Sequence, residues 1–263
     1  MTFLSKLFAL FLVLCQAQFA FAVGNKFSSD LEEGDLSEWT DQNVEAGNTV
    51  EASIAAVKNG TYGLRIVAGA TSDDGRTNFD LGVGGTETQL FSVFWFKVVT
   101  DVTTSGNKGI YVNSDTHDST GGGLVGIKTV APNTNNLIVW DGGAWDNDDG
   151  TRGVFNFTND TWYGVRVRVQ VESIATANDG QVEVQTSANG TDWTLRFLRT
   201  DMNISATAMR YIRAGGDFAI EEYEVYFDDI DVDDTDYPTL NLGGGGDTPQ
   251  TGEHLKSRIF LYD

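Results

Sequence analysis

The run WYGVRVRVQV, from Trp162 to Val171, sets Val165, Val167, Val169 and Val171 on alternate positions, with Arg166, Arg168 and Gln170 between them. Successive side chains of an extended chain point to opposite faces, so this pattern buries one face and wets the other. A helix would scatter the same valines around its axis. A half-buried strand needs a second layer, and the chain supplies further candidates. Alternation or short apolar runs recur at Thr49 to Ala56, Tyr62 to Gly69, Gln89 to Val99, Gly123 to Val130, Asn136 to Trp140, Gly180 to Thr186, Trp193 to Thr200 and Glu221 to Phe227. Gly, Asn and Asp clusters such as SDDGR, TSGNKG, STGGG, ANDG and SANGTDW punctuate them.

No helical period stands out from Asn25 to Val232, and no long-period repeat does either. Many short strands with such punctuation predict an all-β chain, a two-sheet antiparallel jelly-roll β-sandwich. Asn189-Gly190 predicts a two-residue hairpin turn, because both positions tolerate a positive φ. Arg210 to Gly215 reads as an edge strand before a glycine turn. Near the end the alternation changes phase. Tyr223, Val225 and Phe227 are apolar on odd positions, and Ile230 and Val232 continue on even ones. A one-residue β-bulge at Asp228-Asp229 accounts for the flip.

The 263 residues are 40% hydrophobic and 11% aromatic, enough to build a core and too rich for a disordered chain. The formal net charge of −21 repels phosphate backbones and anionic headgroups, which removes nucleic acid from the expected partners. Residues 1–22 carry Lys6, an apolar run from Leu7 to Leu14, and Ala20-Phe21-Ala22 before Val23. This is the pattern of a cleaved signal peptide, interrupted by Gln16 and Gln18 short of the roughly 20 apolar residues that span a bilayer. The expectation is a secreted protein, extracellular or periplasmic, with no membrane insertion after cleavage. Cleavage removes Cys15, the one cysteine, so disulfides and thiolate chemistry are excluded from the mature chain. Only His117 and His254 supply imidazoles. Residues 23–240 are expected to form the sandwich domain, and residues 241–263, with Gly243 to Gly246, a Gly-rich linker and short tail.

Two segments carry a family resemblance. DLEEGDLSEWT (Asp30 to Thr40) and VYFDDIDV (Val225 to Val232) resemble the first and last strands of jelly-roll modules related to concanavalin A-like lectins, laminin G-like domains and carbohydrate-binding modules. An opening Phe-Glu-x-Gly-x-x-x-x-Trp in those families is similar to Leu31-Glu32-Glu33-Gly34 with Trp39. A closing aromatic-Asp-Asp-aliphatic matches Phe227-Asp228-Asp229-Ile230. The resemblance implies a structural Ca²⁺ held by Glu32 and Asp229 with help from backbone carbonyls, a set of hard oxygen donors that suits the ion.

The loop WDGGAWDNDDG offers Trp140 and Trp145 as stacking platforms for sugar rings, with Asp141 and Asp146 as hydroxyl acceptors. Trp39, Trp95 and Trp162 lie in aromatic-rich strand contexts and are expected in the core. Catalytic motifs are incomplete. Asp229-Ile230-Asp231-Val232-Asp233 is one residue short of the Glu-x-Asp-x-x-Glu of laminarinase-like enzymes. Arg210-Tyr211-Ile212-Arg213-Ala214-Gly215 is similar to one strand of alginate lyases, without their other motifs. The expected function is therefore a non-catalytic module that recognises a polysaccharide or glycan. A divergent glycosidase or lyase on the same fold, and a structural or adhesive protein with a cell-surface protein partner, are the alternatives.

Overall fold

In a computed structural model of the chain, the described residues are 25–69, 75–82, 87–100, 107–114, 123–131, 134–140, 145–175, 177–204, 208–216 and 222–242. The proposed signal segment, Asp141, both histidines and the tail beyond Leu242 lie outside them. The described strands are β1 (Asn25–Ser29), β2 (Asp41–Val44), β3 (Thr49–Ser53), β4 (Gly63–Ala68), β5 (Gly75–Asp80), β6 (Gln89–Thr100), β7 (Asn107–Ser114) and β8 (Gly123–Ala131). They continue with β9 (Thr134–Trp140), β10 (Trp145–Asp146), β11 (Asn156–Thr158), β12 (Tyr163–Gln170), β13 (Gly180–Ser187), β14 (Thr194–Met202), β15 (Tyr211–Gly216) and β16 (Tyr223–Asp233). Among the described residues there is one 3-10 turn, Ile54–Ala56, started by Ser53, whose side chain accepts from the Ala55 N–H.

These strands form two antiparallel sheets of eight. Sheet A runs β14-β13-β12-β6-β16-β4-β3, with β1 also on β16. Sheet B runs β10-β9-β8-β7-β15-β5-β2, with β11 also on β9. The expected all-β, two-sheet antiparallel sandwich is thus the architecture found. Val165, Val167 and Val169 of β12 face the interior of sheet A and meet Ile127, Val139 and Ile212 from sheet B in one core. Tyr111 is fully buried, and its hydroxyl donates to Ser92 Oγ at 2.7 Å, a hydrogen bond that ties the two layers together across the core.

The phase flip in β16 is a bulge, as the sequence predicts. Asp228 pairs with Trp95 and Asp231 with Val93, so the strand gains one residue between them, and Asp229 takes a φ of 50°. Three expectations change. The Asn189-Gly190 segment is a six-residue loop between β13 and β14 and not a two-residue turn. Only Gly190 of the pair has a positive φ, while Asn189 Oδ1 accepts from the N–H groups of Thr191 and Asp192. The Arg210 to Gly215 segment becomes β15, which lies inside sheet B between β7 and β5 and not at its edge. Of the three tryptophans expected in the core, Trp39 is there, edge-on to Phe27 at 4.7 Å. Trp95 is buried instead on the outer face of sheet A with Val93 and Leu240, and the half-buried Trp162 packs against the same group. Strand β6 is apolar on both faces, so alternation could not tell which side was the core.

Candidate functional site

The outer face of sheet B is organised by register. Asn78 pairs with Arg213, Arg213 with Val112, Val112 with Leu124, Leu124 with Trp140, and Trp140 with Trp145. One row therefore crosses six strands, from β5 to β10. Ile212 and Ala214 belong to the core between the sheets, which puts Arg213 on the opposite, outer side of β15. Arg213 is fully buried, and its Nε donates to Asn78 Oδ1 at 2.9 Å. Asn78 is 1% exposed and its Nδ2 finds no acceptor among the described residues. Arg76 is 4% exposed and sits two residues before Asn78 on the same strand, hence on the same face. On the other side of Arg213, Tyr211 pairs with Asp80, whose carboxylate takes a two-pronged grip from Arg210, at 2.8 Å to Nε and 2.6 Å to Nη2.

At the far end of the row Trp140 and Trp145 meet edge to face, ring centroids 5.5 Å apart, and both are half-buried. Such a pair offers one ring face and one ring edge at the border of the sheet. Asp146 is the next residue on β10 and points the other way, toward sheet A, where it accepts from Arg199 Nη1 at 2.6 Å. Asp149 continues the closure: its Oδ2 accepts from the Leu198 N–H at 3.0 Å and from Arg152. Asp146 and Asp149 thus latch the β10 loop to β14.

A second group of acids surrounds the loop from Lys58 to Tyr62. Asp228 Oδ2 accepts from the N–H groups of Lys58 and Asn59 at 2.7 and 2.8 Å. Asp229 accepts from Asn59 Nδ2 at 2.6 Å and from Asn241 Nδ2 at 3.2 Å. Glu32 grips the other end of the loop through the N–H groups of Thr61 and Tyr62. Gly60 makes this approach feasible, since a side-chain carbon there would stand 2.1 Å from Glu32 Oε1. Burial, reinforced by the charge of Asp229, pushes the Asp228 carboxyl up to about 8. Burial pushes Asp229 up to about 6, against the hydrogen bonds from Asn59 and Asn241. Carboxylate oxygens carry about two acceptor positions each, so acceptor capacity remains on Asp229. The neighbouring Asn59 and Asn241 would add amide or carbonyl oxygens to a hard-cation site after a flip of the Asn59 amide. Among the described residues no three acidic, histidine or cysteine side chains converge as a ready metal cluster.

Of the residues singled out in the sequence, the structure brings Trp140 and Trp145 together, places Asp146 behind them in an ion pair, and sets Glu32 and Asp229 on one loop. Sequence reasoning missed Arg76 and Asn78, and named Arg213 only within the strand that is similar to one of alginate lyases. Arg76 and Asn78 lie on β5, which begins at Gly75 inside the SDDGR cluster, a stretch that reads as turn; its one signal is the alternation of Arg76, Asn78 and Asp80 with Thr77 and Phe79.

No protein-family model matches the chain, and no characterised protein sequence matches it significantly. Its fold is nevertheless shared. The endo-β-1,4-glucuronan lyase of the fungus Trichoderma reesei superposes with a TM-score of 0.55 at 15% identity, covering 84% of this chain and 100% of that one. The cellulose-induced protein Cip1 gives 0.56 at 13% identity, over 83% and 100%. A carbohydrate esterase of the Shiga toxin-encoding bacteriophage phi24B gives 0.50 at 17% identity, over 82% and 100%. The chain therefore has the jelly-roll β-sandwich fold found among carbohydrate-active proteins. At these identities the likeness is one of fold.

Proposed function

We propose that this chain is a secreted, non-catalytic module that binds a polysaccharide or glycan on the outer face of sheet B. The observation that carries the reading is the single register row that joins the Trp140–Trp145 pair to the polar cluster of Asn78 and Arg213. Aromatic faces stack on the C–H faces of sugar rings, and a few convergent polar groups fix orientation. The fold supports the reading, because solved proteins that share it include a glucuronan lyase and a carbohydrate esterase. Asp141, beside Trp140 in the sequence, is proposed as a hydroxyl acceptor; Asp146 would serve there only by leaving Arg199. A Ca²⁺ held by Asp229, with Glu32 at the other end of the Lys58 to Tyr62 loop, is proposed as a structural ion that offsets the buried negative charge.

A glycan array probed with the full secreted chain tests the function. Binding to a defined polysaccharide that is lost in Trp140→Ala and Trp145→Ala is the expected result; no binding across the array overturns it. The same polysaccharides incubated with the protein should yield no new reducing ends and no unsaturated products. Either product would establish the alternative, a glycosidase or a lyase.

A further inference from the structure

A cavity of about 260 Å³ opens at the β14 edge of sheet A, where Tyr163 of β12, Thr186 of β13, and Thr194 and Arg196 of β14 meet Asn189 and Asp192 of the intervening loop. Arg196 is half-buried there. Its Nε donates to Thr186 Oγ1 at 2.8 Å, and its guanidinium carbon stands 4.4 Å over the centre of the Phe155 ring. Its two terminal nitrogens have no acceptor among the described residues, and no carboxylate there pairs with it. By contrast Arg65, Arg152, Arg199 and Arg210 each hold an acid, as befits a chain with 38 Asp and Glu against 17 Lys and Arg. Burial pushes the pKa of the Arg196 guanidinium down, opposed by Tyr163, so the cavity wall carries a desolvated cation that an incoming anion would stabilise.

We propose that this cavity is a second binding site, for a sulfate ester carried on a sugar ring, with Arg196 taking two sulfate oxygens through Nη1 and Nη2 and the hydroxyls of Tyr163 and Thr186 serving the third. It rests on the saccharide reading for the ring that bears the sulfate, and it places that ring on sheet A, apart from the row on sheet B. Tyr163 Oη accepts from the Thr158 N–H at 3.3 Å and Thr186 Oγ1 accepts from Arg196, so each hydroxyl keeps a proton to give. Oxygen count and charge select the class. A carboxylate has two oxygens, which the arginine pair occupies by itself, leaving the hydroxyl donors unused. A phosphate monoester has three, but it carries a charge of about −1.5 to −2 at neutral pH, and Asp192 stands on the same wall. A sulfate ester joins three oxygens to a single charge. Asp192 Oδ2 accepts from Asn189 Nδ2 at 2.7 Å, and its Oδ1 remains to accept a hydroxyl of the ring. The overall charge of −21 acts weakly here, because at physiological ionic strength screening sets in within about 8 Å.

Magnetic resonance titration of the isotope-labelled full chain compares four probes: glucose sulfate, glucose phosphate, glucuronate and glucose. Glucose sulfate should bind and move the amide signals of residues 186–196. Glucose should bind about 10- to 100-fold more weakly, the range for hydrogen bonds to a charged group. Arg196→Gln should erase that difference. Tyr163→Phe, which keeps the ring, should weaken glucose sulfate without changing glucose, and Asp192→Asn should raise the affinity for glucose phosphate. Should Arg196→Gln misfold, the four probes on the unaltered protein and on Tyr163→Phe still decide. Glucose as tight as glucose sulfate, or no response to any probe, overturns the anion site. Glucuronate or glucose phosphate as tight as glucose sulfate overturns the choice of sulfate. Signals that move beside Trp140 and Trp145 and not at residues 186–196 overturn the assignment to this cavity. Glucose sulfate held at residues 186–196, with every unsulfated glycan of the array unbound, overturns the sheet B reading and leaves this site standing.

Discussion

The indole Nε1 of Trp95 donates to the backbone carbonyl of Asn241 at 2.8 Å, across 146 positions of sequence. That bond fastens the segment after β16 over the outer face of sheet A, where Leu240 is 2% exposed and packs on Val93 and Trp95. Tyr237 stands edge-on to Phe91 at 5.1 Å in the same strap, and its hydroxyl donates to Glu183. Asn241, expected from the sequence to begin the linker, is therefore part of the strap that covers this face of sheet A.

Leu240→Ala should lower stability by about 2 to 5 kcal/mol, the range for emptying a buried leucine site. The midpoint of chemical denaturation measures it. A change within about 0.5 kcal/mol, as for an ordinary surface position, would show that the strap lies loosely on the sheet.

The tryptophans should separate into two behaviours. Trp39 is packed against Phe27 in the core, and Trp39→Ala should cost about 3 to 5 kcal/mol of stability. Trp140→Ala and Trp145→Ala remove half-buried rings at the border of sheet B and should shift the melting temperature far less. Each should lower saccharide affinity by about 2 kcal/mol, roughly thirtyfold. Melting curves and binding isotherms on the same three variants give the contrast.

In metal-free protein, stability should fall as pH rises through the acid-to-neutral range. The Asp228 carboxyl is raised by burial to about 8 in the fold, against about 4 in an unfolded chain. The folded state then holds a proton that the unfolded state has released, so the stabilisation is complete below pH 4 and is lost progressively up to pH 8. Asp229, raised to about 6, adds the same sign of dependence over the lower part of that window. Urea denaturation at pH 5, 7 and 9 reads the slope, and Asp228→Asn should flatten it.

Calcium should reverse that trend, because the ion requires the carboxylates deprotonated. At about 100 times its dissociation constant it would add roughly 2.7 kcal/mol, which for a domain of this size moves the melting temperature by about 5 to 10 °C. Differential scanning calorimetry of demetallated and reloaded protein measures the shift, and Asp229→Ala should abolish it. Identical melting with and without the ion would mean that the acids serve only to hold the Lys58 to Tyr62 loop.

By itself the sequence determined the strands with strict alternation, such as β12, because period two admits one buried face and hence a layered all-β architecture. It also determined the bulge at Asp228-Asp229, since a one-residue change of phase has few other solutions. The tryptophans beside the β9–β10 loop were legible as a candidate platform from their Gly and Asp surroundings alone. Tertiary structure decided the rest. Asn78 and Arg213 are 135 positions apart in the chain, and nothing local marks them as partners until β5 and β15 pair in register. The same holds for the alignment of Arg213 with Trp140, which depends on two intervening strands. Which face of the doubly apolar β6 was the core, and that Asp146 turns from the tryptophans to Arg199, were likewise settled by packing. Strand pairing is a long-range choice made by burial and hydrogen-bond register, and side-chain pattern within one strand carries no record of its neighbour.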